Sequence, residues 1–344
     1  MADIEDAQAD SGGPVRSTEP ALSVVVPATN QPPTLARCLA ALEPQLAAAD
    51  ELIVVTDAPL PGPASARNAG AASGGGEVLV FVDADVVVRA DAVARIREAM
   101  SSEGGPDALF GSYDDSPEHP GAVSGFRNLL HHYVHQSAPG AASTFWAGLG
   151  AVRREAFERV GGFDEQAYSK PSIEDIELGM RLSQAGAQIV LDPGLQGTHL
   201  KRWTFVDMVR TDVLRRGAPW VALLAASRRN DASASPRETP FALNLGWRHR
   251  LSALAALGMV LSLAVRRPLV AVSFTLAMLG LNEAFYRLLL RRRGPGQAAA
   301  GVGLHLVHHL SAVVAVPIGL AQVRDGGSRE DEHLIKRPPG TTET

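Results

Sequence analysis

Two carboxylates stand two residues apart in Val78-Leu79-Val80-Phe81-Val82-Asp83-Ala84-Asp85. The five apolar residues before them, rich in valine, read as a strand buried on both faces. Asp83 and Asp85 fall where that strand ends, so they can lie on one side and converge on one point. In an open α/β sheet, ligands bind at the carboxyl ends of the strands. Two hard oxygen donors there suit Mg²⁺ or Mn²⁺, an ion that commonly bridges nucleotide phosphates. The plain alternative is a solvated Asp-Ala-Asp turn. A second cluster, His131, His132 and His135, invites a metal reading because i and i+4 share a helical face. No glutamate stands between them in the zinc-protease arrangement, and a polar helix or loop over the site is the simpler reading.

The elements that must position these groups alternate. Leu22 to Pro27 and Leu52 to Thr56 read as short strands, and Val78 to Val82 as a third. Thr34 stands ready to cap a helix whose apolar face is Leu35, Cys38, Leu39 and Leu42. A small-residue helix opens at Ser65-Ala66-Arg67-Asn68 and stops at Gly74-Gly75-Gly76; another helix runs from about Ala90 to Met100. Ala108 to Tyr113, Thr144 to Arg153 and Gln188 to Leu191 read as further strands. Arg154 to Val160 and Ile176 to Ala185 read as helices, the second with Ser172 and Asp175 spaced as a capping box. Strands alternating with helices predict an α/β fold with a mainly parallel sheet.

The chain has 344 residues, 46% of them hydrophobic, and a net charge of −5, which argues against a general nucleic-acid binder. Its one cysteine, Cys38, excludes an intrachain disulfide and reads as a small core residue. Residues 1–20 are polar and acidic, lack the apolar core of a signal peptide, and read as a disordered tail.

Five stretches in order resemble the family 2 glycosyltransferases, which have the GT-A fold. They are Val-Val-Val-Pro-Ala-Thr-Asn (24–30), Ala-Arg-Asn-Ala-Gly (66–70), Phe-Val-Asp-Ala-Asp (81–85), Gly-Gly-Phe-Asp (161–164) and Glu-Asp-Ile-Glu-Leu-Gly-Met-Arg-Leu (174–182). The resemblance implies an inverting sugar transferase using a nucleotide-diphosphate sugar and Mg²⁺ or Mn²⁺. By position it makes Asp83 and Asp85 the metal-binding pair, with Asp85 the firmer ligand, and Asp175 the catalytic base. Pro27, Asp57, Arg67, Asn68 and Glu174 join the substrate-binding set, Asp57 toward the base and Arg67 with Asn68 against the nucleotide. A solvated helix face is the plain alternative for Glu174, Glu177 and Arg181, and a dipole-facing carboxylate for Asp175. His-Leu-Lys-Arg-Trp (199–203) resembles the family's QxxRW element with His199 replacing Gln. That implies a metal or pyrophosphate contact for His199 and an acceptor contact for Trp203. Arg202, with Lys201, is a phosphate contact or a basic surface patch. The family's usual Asp-Asp-Gly-Ser is Thr56-Asp57-Ala58-Pro59 here, and Gln31 stands where Glu is frequent.

After residue 202 the composition changes. From Trp203 to Arg229 apolar and basic residues mix at helical spacing, as in one or two interfacial helices on an anionic membrane. Leu251 to Val265, Leu269 to Leu281 (extending to Leu290) and Ala298 to Ala321 are nearly uncharged and predict about three membrane helices within 248–322, before a polar tail over 323–344. The first is short and could be half of an embedded hairpin. Asn282 and Glu283 interrupt the second, with His305, His308 and His309 as candidate partners. The expectation is a multi-pass protein of the cell (inner) membrane with its catalytic domain at 21–202 in the cytoplasm, working on cell-envelope glycans. It would move a hexose to a lipid-linked or saccharide acceptor near the membrane lipid. A processive polysaccharide synthase and a polyprenyl-phosphate glycosyltransferase are variants. A non-catalytic nucleotide-binding scaffold and a small transporter are readings from other classes.

Overall fold

The computed structural model describes residues 19–102, 104–230 and 246–335. The tail expected at 1–20 lies outside them except for its last two residues. Valine-rich segments form the heart of the sheet, β1 (Leu22–Pro27), β2 (Glu51–Val55) and β3 (Val78–Val82), because β-branched side chains favour extended backbone. β1 lies between the other two and parallel to both. The crossovers that parallel pairing requires are α1 (Leu35–Leu42) and α2 (Pro63–Ser73).

On the other side of β3 the pairing changes. β7 (Leu149–Arg153) runs antiparallel to β3 and to β5 (Ala108–Tyr113). β5 is parallel to β8 (Ile189–His199), and both β4 (Val86–Val88) and β6 (Gly140–Ala142) pair antiparallel with β8. The order is β2-β1-β3-β7-β5-β8-β4, with β6 also on β8. Helices cover this sheet: α2 on β1 and β2, α3 (Ala92–Ser101) and α6 (Glu174–Gln184) on β8, α4 (Ala122–Gln136) on β5, and α5 (Arg154–Arg159) on β7.

Several local expectations change. β8 is eleven residues long and reaches His199, well past the strand expected over Gln188 to Leu191. The β5–β8 register shifts between Phe110 and Ser112, so the longer pairing is irregular. Thr144 to Gly148 is not strand; only Leu149–Arg153 pairs. The capping box does not form: the N-cap of α6 is Ile173, and Ser172 Oγ instead donates to Arg215 O at 2.7 Å. Thr34 makes no capping bond to α1 either. The stretch read as a polar helix or loop is α4, which buries Phe126, Leu129 and His135. Its histidines bond backbone of β5 rather than metal: His132 Nδ1 pairs with Tyr113 O and His135 Nδ1 with Gly111 O, each at 2.8 Å.

Gly179 explains the small residue in Glu-Asp-Ile-Glu-Leu-Gly. A Cβ there would lie 2.1 Å from Phe145 N and 2.5 Å from Thr144 C. Backbone cannot yield as a flexible side chain can, so α6 approaches the 144–148 segment only with glycine. Gly179→Ala is expected to cost roughly 1–3 kcal/mol, read as a lowered thermal midpoint in detergent, and to displace Asp175 from that segment. An unchanged midpoint and unchanged turnover would contradict this packing account.

The residues after 202 continue as helix. α7 (Phe205–Arg210) leads into a π-helix (Thr211–Gly217) and then α8 (Ala218–Asn230). α9 (Trp247–Ala264) and α10 (Pro268–Leu281) pack together through the Val265–Arg267 link, and α11 (Glu283–Ile335) follows. α11 breaks at Gly294 (φ 76°), so its first part and the segment from Pro295 point differently. It continues into the stretch read as a polar tail; 336–344 lie outside the described residues. One helix, Glu283–Val323, is long and apolar enough to cross a membrane, and α10 is a shorter apolar helix. Leu254, Leu261, Leu269 and Leu276 on α9 and α10 are more than half exposed.

The helices are packed against the α/β domain, not merely tethered. Phe126 and Leu129 of α4 share a buried cluster with Met208, Phe285 and Leu289. Arg293, beside the break in α11, donates to His119 O and Pro120 O. Glu283 is exposed and pairs with Arg287, so the histidines of α11 are not its partners. Asn282 is buried and donates to Ser252 Oγ and Met278 O.

Candidate active site

Asp83 and Asp85 leave β3 at the centre of the sheet, and the turn that follows is closed by Val86 N donating to Asp83 O. β4 then pairs with β8 so that Val86 faces His199, and Leu200 N donates to Asp85 O. This brings His199 Nε2 to 3.5 Å from Asp85 Oδ2. Tyr113 of β5 stacks on the His199 ring at 4.2 Å and 7°, and meets Trp146 edge-on at 4.9 Å.

The two strand-end carboxylates differ. Asp83 Oδ1 accepts from Arg67 Nη2 at 2.7 Å; Asp85 does not share that partner. Burial pushes the Asp83 carboxyl above its ordinary range, with the Asp85 charge adding and Arg67 opposing. Burial opposes ionisation of Asp85 as well, but His199, with Lys201, holds its carboxyl below that range. Like charges close together separate in this way, and a divalent cation at Asp85 would relieve the repulsion.

Arg67 is the hub. It is 4% exposed, and its second nitrogen reaches Glu174 Oε1 at 2.9 Å. Glu174 also accepts from Ser172 N at 2.8 Å and is 5% exposed. Such a buried pair is held by its mutual charge and hydrogen bonds. Asn68 is engaged inside the protein too, bonding Phe163 N and O and Glu165. The side chains of Arg67, Asn68 and Glu174 therefore build the wall of the site and the Gly161-Gly162-Phe163-Asp164 corner.

Asp175, next to the buried Glu174, is partly open. Its carboxylate accepts from Ile176 N at 2.8 Å and Ala147 N at 3.3 Å. One residue on, Gly148 O accepts from Asp83 N, so the 146–148 segment spans the two acidic corners. Burial, then the Glu174 charge, raises the Asp175 pKa to about 6, against the opposing charges of Arg67 and Arg216. A carboxylate near 6 is suited to accept a proton at neutral pH.

The remaining sequence candidates are spread around the rim. Pro27 ends β1 beside Val55, and Asp57, exposed at the end of β2, accepts from Ala58 N. Arg202 is exposed. Trp203 lies between two cations, Lys201 Nζ at 4.3 Å and the Arg127 guanidinium at 4.8 Å from its ring centroid. No group of three His, Cys, Asp or Glu side chains among the described residues is arranged to hold a metal alone. Asp85 and His199 supply two donors of a type that would suit a divalent ion.

A model of glycosyl transferase family group 2 matches residues 78–290, more than half of the chain. The chain belongs to this family. It is a glycosyltransferase, and the match runs from β3 through the acidic corners into the first part of α11. Among solved structures, a mannosyltransferase of Pyrobaculum calidifontis in complex with GDP-Man and Mn²⁺ overlaps with TM-score 0.50 at 16% identity, over 88% of each chain. This likeness shows the GT-A fold. GalNAc-T7 with UDP, GalNAc and Mn²⁺ overlaps with TM-score 0.44 at 16% identity, over 64% of this chain and 52% of that one. S. aureus TarS with UDP-GlcNAc overlaps with TM-score 0.40 at 14% identity, over 90% and 92%. No curated protein matches the chain.

Sequence reasoning passed over three contributors to this family 2 site. Tyr113 and Trp146 sit in segments read only as strand. Asp212, a lone acid among Arg210, Arg215 and Arg216, is buried in the π-helix and accepts from Arg127 Nη1 at 2.6 Å and His308 Nδ1 at 2.8 Å. Burial opposes its ionisation, but Arg127 and His308 lower its pKa to about 2. The signal was that one carboxylate in a basic helix, and π-helical turns often mark functional sites.

Proposed function

We propose that this chain transfers a sugar from a nucleotide-diphosphate sugar to an acceptor at a membrane surface, with inversion at the anomeric carbon. The observation that carries this is the junction of the 146–148 segment with both Asp83 and Asp175, beside the Asp85–His199 pair. The acceptor hydroxyl oxygen attacks the anomeric carbon as its proton passes to Asp175. The bond from that carbon to the phosphate oxygen breaks, and the nucleoside diphosphate leaves with the electron pair on the opposite face.

Asp85 and His199 would hold a divalent ion, with Asp83 and Arg67 fixing the corner behind them. When bound, Mg²⁺ or Mn²⁺ neutralises charge on the leaving diphosphate. The P. calidifontis mannosyltransferase, solved with GDP-Man and Mn²⁺, supports this choice of donor class and metal. Pro27 and Asp57 would line the base pocket, with Arg67 and Asn68 supporting it from inside. Arg202 would contact the donor phosphates and Trp203 the acceptor. The test is release of nucleoside diphosphate by detergent-purified full chain from a panel of sugar nucleotides, with Mn²⁺, Mg²⁺ or chelator. No metal-dependent release from any of them would overturn the reading.

Membrane residence is part of the proposal, with α11 crossing and the α9–α10 hairpin embedded; the basic Arg291-Arg292-Arg293 stretch favours the cytoplasmic side for the catalytic domain. The support is the length of Glu283–Val323 and the exposed leucines of the hairpin. The full chain is expected to stay in the membrane pellet through high-salt and alkaline washes and to leave only with detergent. Full-length protein that is soluble without detergent would contradict it. Deleting everything after 245 is a poor test, because it would uncover Phe126, Leu129 and Met208.

A further inference from the structure

A cavity of about 690 Å³ lies between the catalytic domain and the helices. At one end it is lined by His199, Tyr113 and Trp203, which belong to the metal corner and its rim. At the other it is lined by Leu254, Leu257, Val313 and Val316 of α9 and α11. Leu254 is 61% and Val316 44% exposed, so the apolar end opens on the outer surface of the helices. A cavity polar at the reaction centre and apolar at a lipid-facing exit has the shape of an amphipathic ligand.

The lining also includes polar groups that lack partners among the described residues. His309 is 1% exposed, lines the cavity, and has no hydrogen bond to either ring nitrogen among the described residues. Trp220 Nε1 and Trp203 Nε1, also on the lining, are likewise buried without an acceptor. Leaving such groups unpaired in an apolar site is unfavourable, so their arrangement favours a polar occupant. Two indole N–H groups can only donate, which requires an acceptor-rich group.

The charge on the lining agrees. Arg127 and His308 are both held by Asp212, which fixes the imidazole by its Nδ1 and leaves Nε2 for a ligand. Arg216, on the π-helix, is half-buried and has no hydrogen bond or ion pair among the described residues. Arg216 lines the cavity together with Tyr113, Arg127 and His308, so its charge is presented to an occupant.

We infer that this cavity binds the acceptor as a phosphate-bearing lipid, with Arg216 as the main cation for the phosphate and the chain leaving between α9 and α11. The inference rests on the transferase reading above and names its acceptor class. Asp175 is not among the lining residues, so the accepting hydroxyl belongs to the group beyond the phosphate, toward the metal corner.

The test uses the full chain in mixed micelles and follows tryptophan emission, because Trp203 and Trp220 line the cavity. Three probes are titrated: a long-chain prenyl phosphate, the same prenyl alcohol, and inorganic phosphate. The prenyl phosphate should give a saturable change and bind at least about tenfold more tightly than the alcohol, the effect of one charge-assisted contact. Inorganic phosphate at the same concentration should give no change. Arg216→Gln should remove the preference for the phosphate, Arg216→Lys should restore part of it, and donor affinity by calorimetry should stay as in the unaltered chain. Equal binding of alcohol and phosphate, equal binding of inorganic phosphate, or an unaffected Arg216→Gln would each overturn the inference. Donor binding is measured in the same preparation; its failure would remove the transferase reading while the lipid titration still decides this one.

Discussion

Asp175→Asn is expected to lower kcat for transfer by about 10²–10⁴-fold while leaving donor affinity nearly unchanged. Asparagine keeps the shape and removes the proton acceptor; its single amide oxygen keeps the shorter bond from Ile176 N and gives up the longer one from Ala147 N, which reaches the other carboxylate oxygen. An interaction made in the transition state alone shows as a fall in kcat without a matching change in binding. The pH dependence carries the same signature. Burial raises the Asp175 pKa to about 6, and the base must be ionised to act, so activity falls as pH drops through about 6 and is level above it. That acidic limb disappears from the residual activity of Asp175→Asn. The measurements are kcat across pH 4.5–8 and donor Kd by calorimetry. Near-wild-type transfer to a hydroxyl acceptor would remove Asp175 from the mechanism. An acceptor whose phosphate is itself the nucleophile is already ionised, and transfer to it would lose much less.

Asp85→Asn is expected to abolish most turnover, on the order of 10³-fold, because a metal ligand supplies several kcal/mol of charge stabilisation. It should also weaken Mn²⁺-dependent nucleotide binding with the thermal midpoint preserved. Asp85 has no buried ion-pair role comparable to that of Asp83, whose partner Arg67 also holds Glu174. Asp83→Asn should therefore lower both activity and stability, which separates the two carboxylates. Normal turnover of Asp85→Asn at the same metal concentration would displace the site from this strand end.

The elements around these residues were readable because each has a local cause. The valine runs of β1 and β3 favour extended backbone because their side chains are β-branched, and Gly74-Gly75-Gly76 disfavours continuing α2. The 115–140 stretch was not readable as a packed helix. Its histidines look like solvated or metal-binding groups until β5 presents Gly111 O and Tyr113 O to them. The capping box at Ser172 failed for a similar reason, since Arg215 O offers that hydroxyl a partner from a segment 43 residues away.

Sequence alone determined the strand that delivers Asp83 and Asp85, the carboxylate pair at 174–175, the family, and the apolar character of the chain after residue 250. These follow from runs and spacings within a few residues, where hydrophobic burial and backbone stereochemistry act locally. Tertiary structure decided how the groups divide their work. Glu174 and Asp175 are neighbours in sequence, yet one is sealed against Arg67 and the other is partly open, because successive side chains in the first turn of α6 point to different sides, Glu174 to Arg67 and Asp175 to the 146–148 segment. His199 meets Asp85 only because β4 pairs with β8 across more than a hundred residues of chain. Asp212 meets Arg127 and His308 only because α4, the π-helix and α11 pack together. Charge pairing and desolvation depend on distances of a few ångströms between remote segments, and no spacing along the chain encodes them.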